Sequence, residues 1–423
     1  MRDYLLCLVI AAAVTYVMVP PVRALAFKWR VIAVVRARDV HTAPIPRLGG
    51  LAMLAGMCVT LAVASRLTLT SRIFEASHVG RGLLIGAVLV AILGAIDDKY
   101  SLDAVTKIVG QVLVAAAVAG SGVQLLWLPL GGIVILDPIA SIGLTVLVIV
   151  IMMNAVNFID GLDGLAAGIC LIGGLAFLAY SYLLSVHFDF SRATLPALVS
   201  AMLAGVSFGF LFHNSHPARI FMGDTGSMLL GLAMATSAVT LTGYVEPTVL
   251  QGTRSALPAF LPLLLPLAVI AIPMLDLSLA VIRRTRAGHD PFAPDKKHLH
   301  HRLLELGHSH RRAVALMYSW AALVAFTTVA LVFAPVWIVA VVSTLGLLAL
   351  VMLVMRWKTA GSGETAVTAA SASTTSSADV HTGQKANENQ AVETSGRSST
   401  QTQHQQAAAA RISPTSDERN TSS

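Results

Sequence analysis

The stretch Asn154-Ala-Val-Asn157-Phe-Ile-Asp160-Gly161-Leu-Asp163-Gly164 closes an apolar run at 142–153. With the residues before it, that run is long enough to cross a bilayer, so two amides and two carboxylates stand where hydrocarbon should end. Ionisable groups at such a depth are expensive and face protein or water rather than lipid. If the helix continues through them, Asn154, Asn157, Asp160 and Asp163 recur every third residue and form one polar stripe. Gly161 and Gly164 leave that stripe open to a bulky partner. A capped helix end with a glycine stop is the plainer alternative.

The rest of the chain agrees with a membrane setting. Its 423 residues are 56% hydrophobic and only 12% charged, with a mean hydropathy of +0.75, which excludes an ordinary soluble domain. Apolar runs near the spanning length lie at about 4–22, 48–64, 83–96, 108–119, 139–153, 165–184, 195–212, 228–241, 257–282, 313–333 and 336–355. The expected fold is all-α, a polytopic membrane protein of about eleven transmembrane helices. The first run is followed by Arg23, Lys28 and Arg30 rather than by a small-residue cleavage site, so it reads as a retained span. Three cysteines, Cys7, Cys58 and Cys170, each sit inside an apolar run and support neither a disulfide framework nor a thiolate metal site.

Placing the N-terminus outside and the C-terminus inside puts about nineteen Lys and Arg on inner loops against six outside, the bias of the positive-inside rule. The segment 122–138 has β-formers on both sides of Gly131-Gly132 and reads as a small outer β-hairpin. From residue 359 the composition turns to Ser, Thr, Ala, Gln and Asn. It cannot bury enough apolar area to order itself. The expected domains are therefore a membrane domain, 1–358, and a disordered cytoplasmic tail, 359–423.

Four further polar constellations fall on the same inner side. In His41-Thr-Ala-Pro-Ile-Pro-Arg47-Leu-Gly-Gly, prolines stiffen a loop that carries a forked cation. Asp97-Asp98, with Asp103 and Lys107 beyond, sets adjacent carboxylates at a span end. That suits a metal site or a general base, whereas helix capping would need only one acid. In 213–227, Asp224 lies between Gly223 and Thr225-Gly226-Ser227 as a span begins, a setting for a magnesium-bound phosphate. The loop 290–312 carries His298, His300, His301 and Arg302. Without a nearby Cys, these fit an embrace of a diphosphate better than zinc. Just before it, Pro273 and Asp276 interrupt an apolar run and imply a kink, with a groove against lipid.

In these five segments, taken in order, the chain resembles the polyprenyl-phosphate N-acetylhexosamine-1-phosphate transferases. The resemblance implies transfer of GlcNAc-1-phosphate from UDP-GlcNAc to a polyprenyl phosphate, undecaprenyl or decaprenyl, with release of UMP. This is the first lipid-linked step of a cell-envelope polysaccharide. It implies Mg²⁺, with Mn²⁺ as a substitute, held at Asp224 and Asn157. It places Asp97 and Asp98 near the attacking lipid phosphate with Lys107 beside them, the 154–163 segment (Asn154, Asp160, Asp163) at the nucleotide, and Arg47 with the histidine loop at the sugar and diphosphate. The catalytic candidates are thus Asp97, Asp98 and Asp224. A phosphate oxygen is already ionised at neutral pH, so whether Asp97 or Asp98 acts as a base stays open. The expected setting is the inner (plasma) membrane with the site on the cytoplasmic face. Expected partners are UDP-GlcNAc, polyprenyl phosphate, membrane lipid and a second copy of the chain, with no nucleic acid. Two alternatives stand beside this reading: a sister enzyme taking another UDP-amino sugar such as UDP-MurNAc-pentapeptide, and a cation-coupled transporter.

Overall fold

The structure, a computed structural model, describes residues 1–32, 44–76, 79–128, 134–187, 194–244, 264–265, 268, 271, 285–286 and 310–353. The chain divides into two units, Met1–Met355 and Arg356–Ser423, and every described residue belongs to the first. His41, Asp276, His298, His300, His301, Arg302, most of the 257–282 run and the tail lie outside the described residues.

Among the described residues the chain is mostly helical. In order come α1 (Arg2–Lys28), α2 (Gly49–Ala64), the short α3 (Ser71–Ala76), α4 (Val79–Tyr100), α5 (Ala104–Gly120), α6 (Pro138–Ile159), α7 (Leu165–His187), α8 (Thr194–Asn214), α9 (Gly223–Tyr244) and α10 (His310–Phe333). A further helix, α11 (Val336–Leu353), follows. Eight of these are long and apolar enough to cross a membrane, and α2 and α5 are shorter apolar helices. Between α5 and α6, β1 (Trp127–Leu128) pairs antiparallel with β2 (Val134–Ile135), Trp127 opposite Ile135.

Packing inverts the soluble pattern. Helix α9 is buried from Thr225 to Thr242 among α2, α4, α6, α7 and α8, yet its mean hydropathy is only 1.3; α11, the most apolar at 2.6, is almost wholly exposed. Lipid is as apolar as leucine, so the outermost helix must be apolar, while a helix surrounded by protein can carry hydroxyls and glycines that let backbones approach. Two of those hydroxyls are satisfied within the helix: Thr240 Oγ1 donates to Thr236 O at 2.6 Å and Thr242 Oγ1 to Ala238 O at 2.9 Å. Gly94 of α4 lies against the backbone of Thr225, where any Cβ would collide. Helix α4 is thereby brought flush to the first turn of α9.

Helix α6 stops at Ile159, and Asp160 is its C-cap, with φ −74° and ψ 48°. The expected continuation of the stripe to residue 163 therefore does not occur. The chain turns sharply instead: Gly161 N–H bonds Ile159 O at 2.7 Å, and Gly164 sits at φ +77°, a conformation glycine adopts at no steric cost. Asn154 and Asn157 remain on the helix, whereas Asp160 and Asp163 belong to the turn.

Candidate active site

The C-terminal ends of α4 and α6 meet the N-terminal ends of α5 and α9 at one end of the bundle. At the centre is Asp224, in the first turn of α9. Its Oδ2 is ion-paired with Lys107 Nζ, and its Oδ1 accepts from Asn157 Nδ2 at 2.8 Å. The same Asn157 amide reaches Ser227 Oγ at 2.9 Å. Lys107 also bridges to Asp97 Oδ2 at 2.8 Å, while the other Asp97 oxygen accepts from Leu102 N–H at 2.8 Å. Asp97 is 8% exposed and Asp224 26%, so the pair is sheltered at one side and open at the other. Asp97, Lys107, Asn157 and Asp224, named separately from sequence, form one contiguous group.

Asp98 has a different position. Its Oδ1 accepts from Asp224 N–H at 2.9 Å, and its Oδ2 from Thr225 N–H at 3.1 Å and Thr225 Oγ1 at 2.7 Å. A carboxylate from α4 thus caps α9 across the helix interface, satisfying orphan N–H groups and the positive end of the dipole. Gly223, at φ +68°, makes room: a Cβ there would lie 2.5 Å from Asp98 Oδ1. Asp103, the third acid of this region, is the N-cap of α5. The Thr106 hydroxyl and N–H hold its carboxyl below the usual carboxylate range. Two of these three acids are caps, and only Asp97 turns into the site.

One helical turn before Asn157, Asn154 Nδ2 donates to Gln111 Oε1 at 2.6 Å and to Val150 O at 2.8 Å. Gln111, fully buried on α5, also donates to Met228 Sδ at 3.2 Å. This amide pair fastens α5, α6 and α9 together beneath Lys107, and Asn154 faces Gln111 rather than the open end. Gln111 is missing from the sequence candidates, although a lone amide inside an apolar run is itself a signal.

A second polar cluster surrounds the 160–164 turn. Asp163 Oδ2 lies 2.8 Å from His216 Nδ1 and accepts from Ala218 N–H at 3.1 Å. Asn214 is 2% exposed; it accepts from Gly164 N–H and donates to Ile220 O, both at 3.0 Å. Helix α10 braces the turn from the other side: Tyr318 donates to Gly164 O at 2.5 Å, Arg311 donates to His216 O at 3.0 Å, and His310 stacks on His216 with ring centroids 4.3 Å apart. Asp163, His216 and His310 have ligand atoms within 4.8 Å of one another. The two rings are only 21° from parallel, and imidazole lone pairs lie in the ring plane. They point side by side rather than at one ion, which fits a stacked pair better than a metal site.

Between the clusters lies Asp160. Its carboxyl is pushed up to about 8, first by burial and then by the charges of Asp224, Asp98 and Asp163, with Arg47 opposing. Arg47 itself is carried by a segment docked through backbone bonds: Phe221 N–H to Pro46 O at 2.9 Å, and Gly49 and Gly50 N–H to Phe221 and Met222 O at 3.0 Å. That docking brings the cation within electrostatic reach of Asp160.

Residues 81–242 match the family described as Glycosyl transferase family 4. The decaprenyl-phosphate N-acetylglucosaminephosphotransferase of Mycobacterium tuberculosis (strain CDC 1551 / Oshkosh) is 44% identical over 338 residues, 79% of this chain and 83% of that protein. The chain belongs to the polyprenyl-phosphate N-acetylglucosamine-1-phosphate transferases. A probable undecaprenyl-phosphate N-acetylglucosaminyl 1-phosphate transferase of Bacillus subtilis (strain 168) is 32% identical over 337 residues, 78% of this chain and 85% of that protein. A phospho-N-acetylmuramoyl-pentapeptide-transferase of Desulforudis audaxviator (strain MP104C) is 34% identical over 246 residues, 53% of this chain and 70% of that protein. The transferase is thus a phosphotransferase built into a multi-pass membrane protein, and its membership sets aside the transporter alternative.

Proposed function

We propose that the enzyme transfers GlcNAc-1-phosphate from UDP-GlcNAc to polyprenyl phosphate, giving polyprenyl-diphosphate-GlcNAc and UMP. An oxygen of the lipid phosphate forms a new bond to the β-phosphorus of the donor. The bond from that phosphorus to the oxygen of the α-phosphate breaks, and UMP leaves with the electron pair. The observation that carries this reading is the group around Asp224: two carboxylates and a lysine, with an amide and a hydroxyl, at the N-terminus of a buried helix in a chain of this family.

The donor set is oxygen-rich and free of thiolate, which fits Mg²⁺ better than softer ions. Asp224 and Asp97 would hold it, with Asn157 turning its carbonyl oxygen inward. Bound there, the ion would neutralise charge on the transferring phosphoryl group. Asp98 keeps the α9 N-terminus, and with it Asp224, in place. Lys107 can meet a phosphate oxygen. Because the attacking phosphate is already ionised, Asp97 serves to orient charge rather than to remove a proton.

The turn 160–164, Asn214 and His216 are assigned to the nucleotide, and Arg47 to the diphosphate. The basic residues collected on the loops at this end support a cytoplasmic site in the plasma membrane, with the N-terminus outside. The tail is assigned no part in the chemistry.

The test is UMP release by purified protein in detergent from UDP-GlcNAc and polyprenyl phosphate, with divalent cation present or chelated. A parallel arm offers UDP-MurNAc-pentapeptide, the alternative donor. Turnover with UDP-GlcNAc alone is expected. Turnover only with the muramoyl donor would overturn the donor assignment.

A further inference from the structure

The gap between Asp97 and Asp224 already contains a cation. Asp97 Oδ2 and Asp224 Oδ2 face each other across the Lys107 ammonium, 2.8 Å from the first and ion-paired with the second. The outer oxygens are engaged elsewhere, Asp97 Oδ1 by Leu102 N–H and Asp224 Oδ1 by the Asn157 amide, each at 2.8 Å. The inner oxygens are therefore the pair a shared ion would take, and Lys107 occupies the space between them. Its stem is held in register by the first turn of α5, where Lys107 N–H bonds Asp103 O at 3.0 Å. Only 17% of the side chain is exposed.

We infer that Lys107 is the resident cation of the Asp97–Asp224 gap and competes with the divalent ion for it. This inference rests on the divalent-cation reading of the site. One ammonium leaves the two carboxylates with a net charge of −1, whereas a divalent ion balances them. Ammonium and metal ion at the same two oxygens would place like charges together in a sheltered pocket, where repulsion is strong. Entry of the metal ion therefore displaces Nζ, and a lysine freed beside the ion is poised to take up a phosphate oxygen. Lys107 thus has two stations, one between the carboxylates and one at the phosphate. The competition lowers apparent metal affinity, because part of the binding energy goes into breaking two ion pairs. It also protects the ligand-free protein, because removing one partner of a buried pair leaves an uncompensated charge.

The two consequences have opposite signs in one variant, and that makes the test sharp. Full-length Lys107→Met, Lys107→Gln and Lys107→Arg proteins in detergent are titrated with Mn²⁺ by electron paramagnetic resonance, with Mg²⁺ as competitor. Unfolding temperatures are measured in EDTA and in MgCl₂. Lys107→Met and Lys107→Gln are expected to bind Mn²⁺ about ten-fold more tightly than the wild type. They should unfold at lower temperature in EDTA and be raised by MgCl₂ more than the wild type is, as selective binding to the folded state requires. Lys107→Arg retains the cation and should stay within about three-fold of wild-type affinity. Detectable binding only after the lysine is neutralised would be the strongest form of the expected result. Wild-type binding that the Met and Gln substitutions leave unchanged or weaken would overturn the inference and leave the divalent-cation reading intact. Silence in every protein, wild type included, would overturn both.

Discussion

Two polar clusters share one end of the bundle and are held in different ways. Asp97, Lys107, Asn157 and Asp224 project from the ends of four packed helices, and the backbone beneath them is fixed by α9 at the centre of the fold. Asp160, Asp163 and His216 lie on turns, pinned by individual side-chain bonds from Asn214 at the end of α8 and from Arg311 and Tyr318 of α10. The first arrangement suits charge stabilisation, where small displacements of a donor are costly. The second suits recognition of a donor that must enter and leave. Substitutions in the first cluster should therefore act on turnover, and those in the second on donor affinity.

The largest expected effect is in the first cluster. Asp224→Asn keeps the shape and removes the charge, and UMP release should fall on the order of 10² or more at saturating substrates. Next comes Asp98→Asn, which removes one acceptor from the α9 cap. A lost cap costs about 1–2 kcal/mol, visible as a lower unfolding temperature, and the shifted Asp224 should reduce turnover roughly ten-fold. Asp103→Asn caps only α5 at the exposed edge and should leave turnover within a few-fold. Equal losses at Asp98 and Asp103 would erase the distinction between a cap that holds the site and one that does not.

The second cluster should respond more mildly. Tyr318→Phe removes the hydroxyl that holds Gly164 O and should raise KM for the donor by roughly three- to ten-fold, the scale of one hydrogen bond, with kcat nearly unchanged. An equal fall in kcat with KM fixed would move the 160–164 turn from recognition to chemistry. The last effect is on stability rather than turnover and concerns Asp160. Its carboxyl is raised to about 8 in the folded protein from about 3.9 in an unfolded chain. The folded state therefore holds a proton that the unfolded state releases, and stability present below about pH 4 is lost as pH rises through 8. In EDTA, Asp160→Asn should flatten this fall, so that the variant's unfolding temperature gains on the wild type between about pH 4 and 8. A constant difference across that range would contradict the shift.

Much of the first cluster was legible in sequence. The Asp97-Asp98 pair, the Gly223-to-Ser227 start of α9 and the asparagines at the end of α6 all interrupt apolar runs, and charge in such runs is rarely idle. What sequence could not give was the division of labour. Adjacent aspartates on a helix point about 100° apart, so Asp97 entered the site while Asp98 turned to α9, and nothing local says which does which. The stripe failed after Asn157 because Gly161 and Gly164 allow a tight turn, and the bonds Asp163 gains from His216 and Ala218 lie more than fifty residues away in the chain. Tyr318 was hidden for a similar reason, since an aromatic inside a span reads as packing until the carbonyl it meets is known. Gln111 could have been found by asking what a buried amide pairs with.

The division between the clusters is tested most directly by donor and Mg²⁺ titrations of Asp224→Asn and Asp163→Asn run side by side, reading initial rates of UMP release. Asp224→Asn is expected to lose turnover and to shift its Mg²⁺ midpoint upward with little change in donor KM. Asp163→Asn should keep its Mg²⁺ midpoint and most of its turnover at saturation while donor KM rises. Near wild-type turnover for Asp224→Asn at an unchanged Mg²⁺ midpoint would contradict that division.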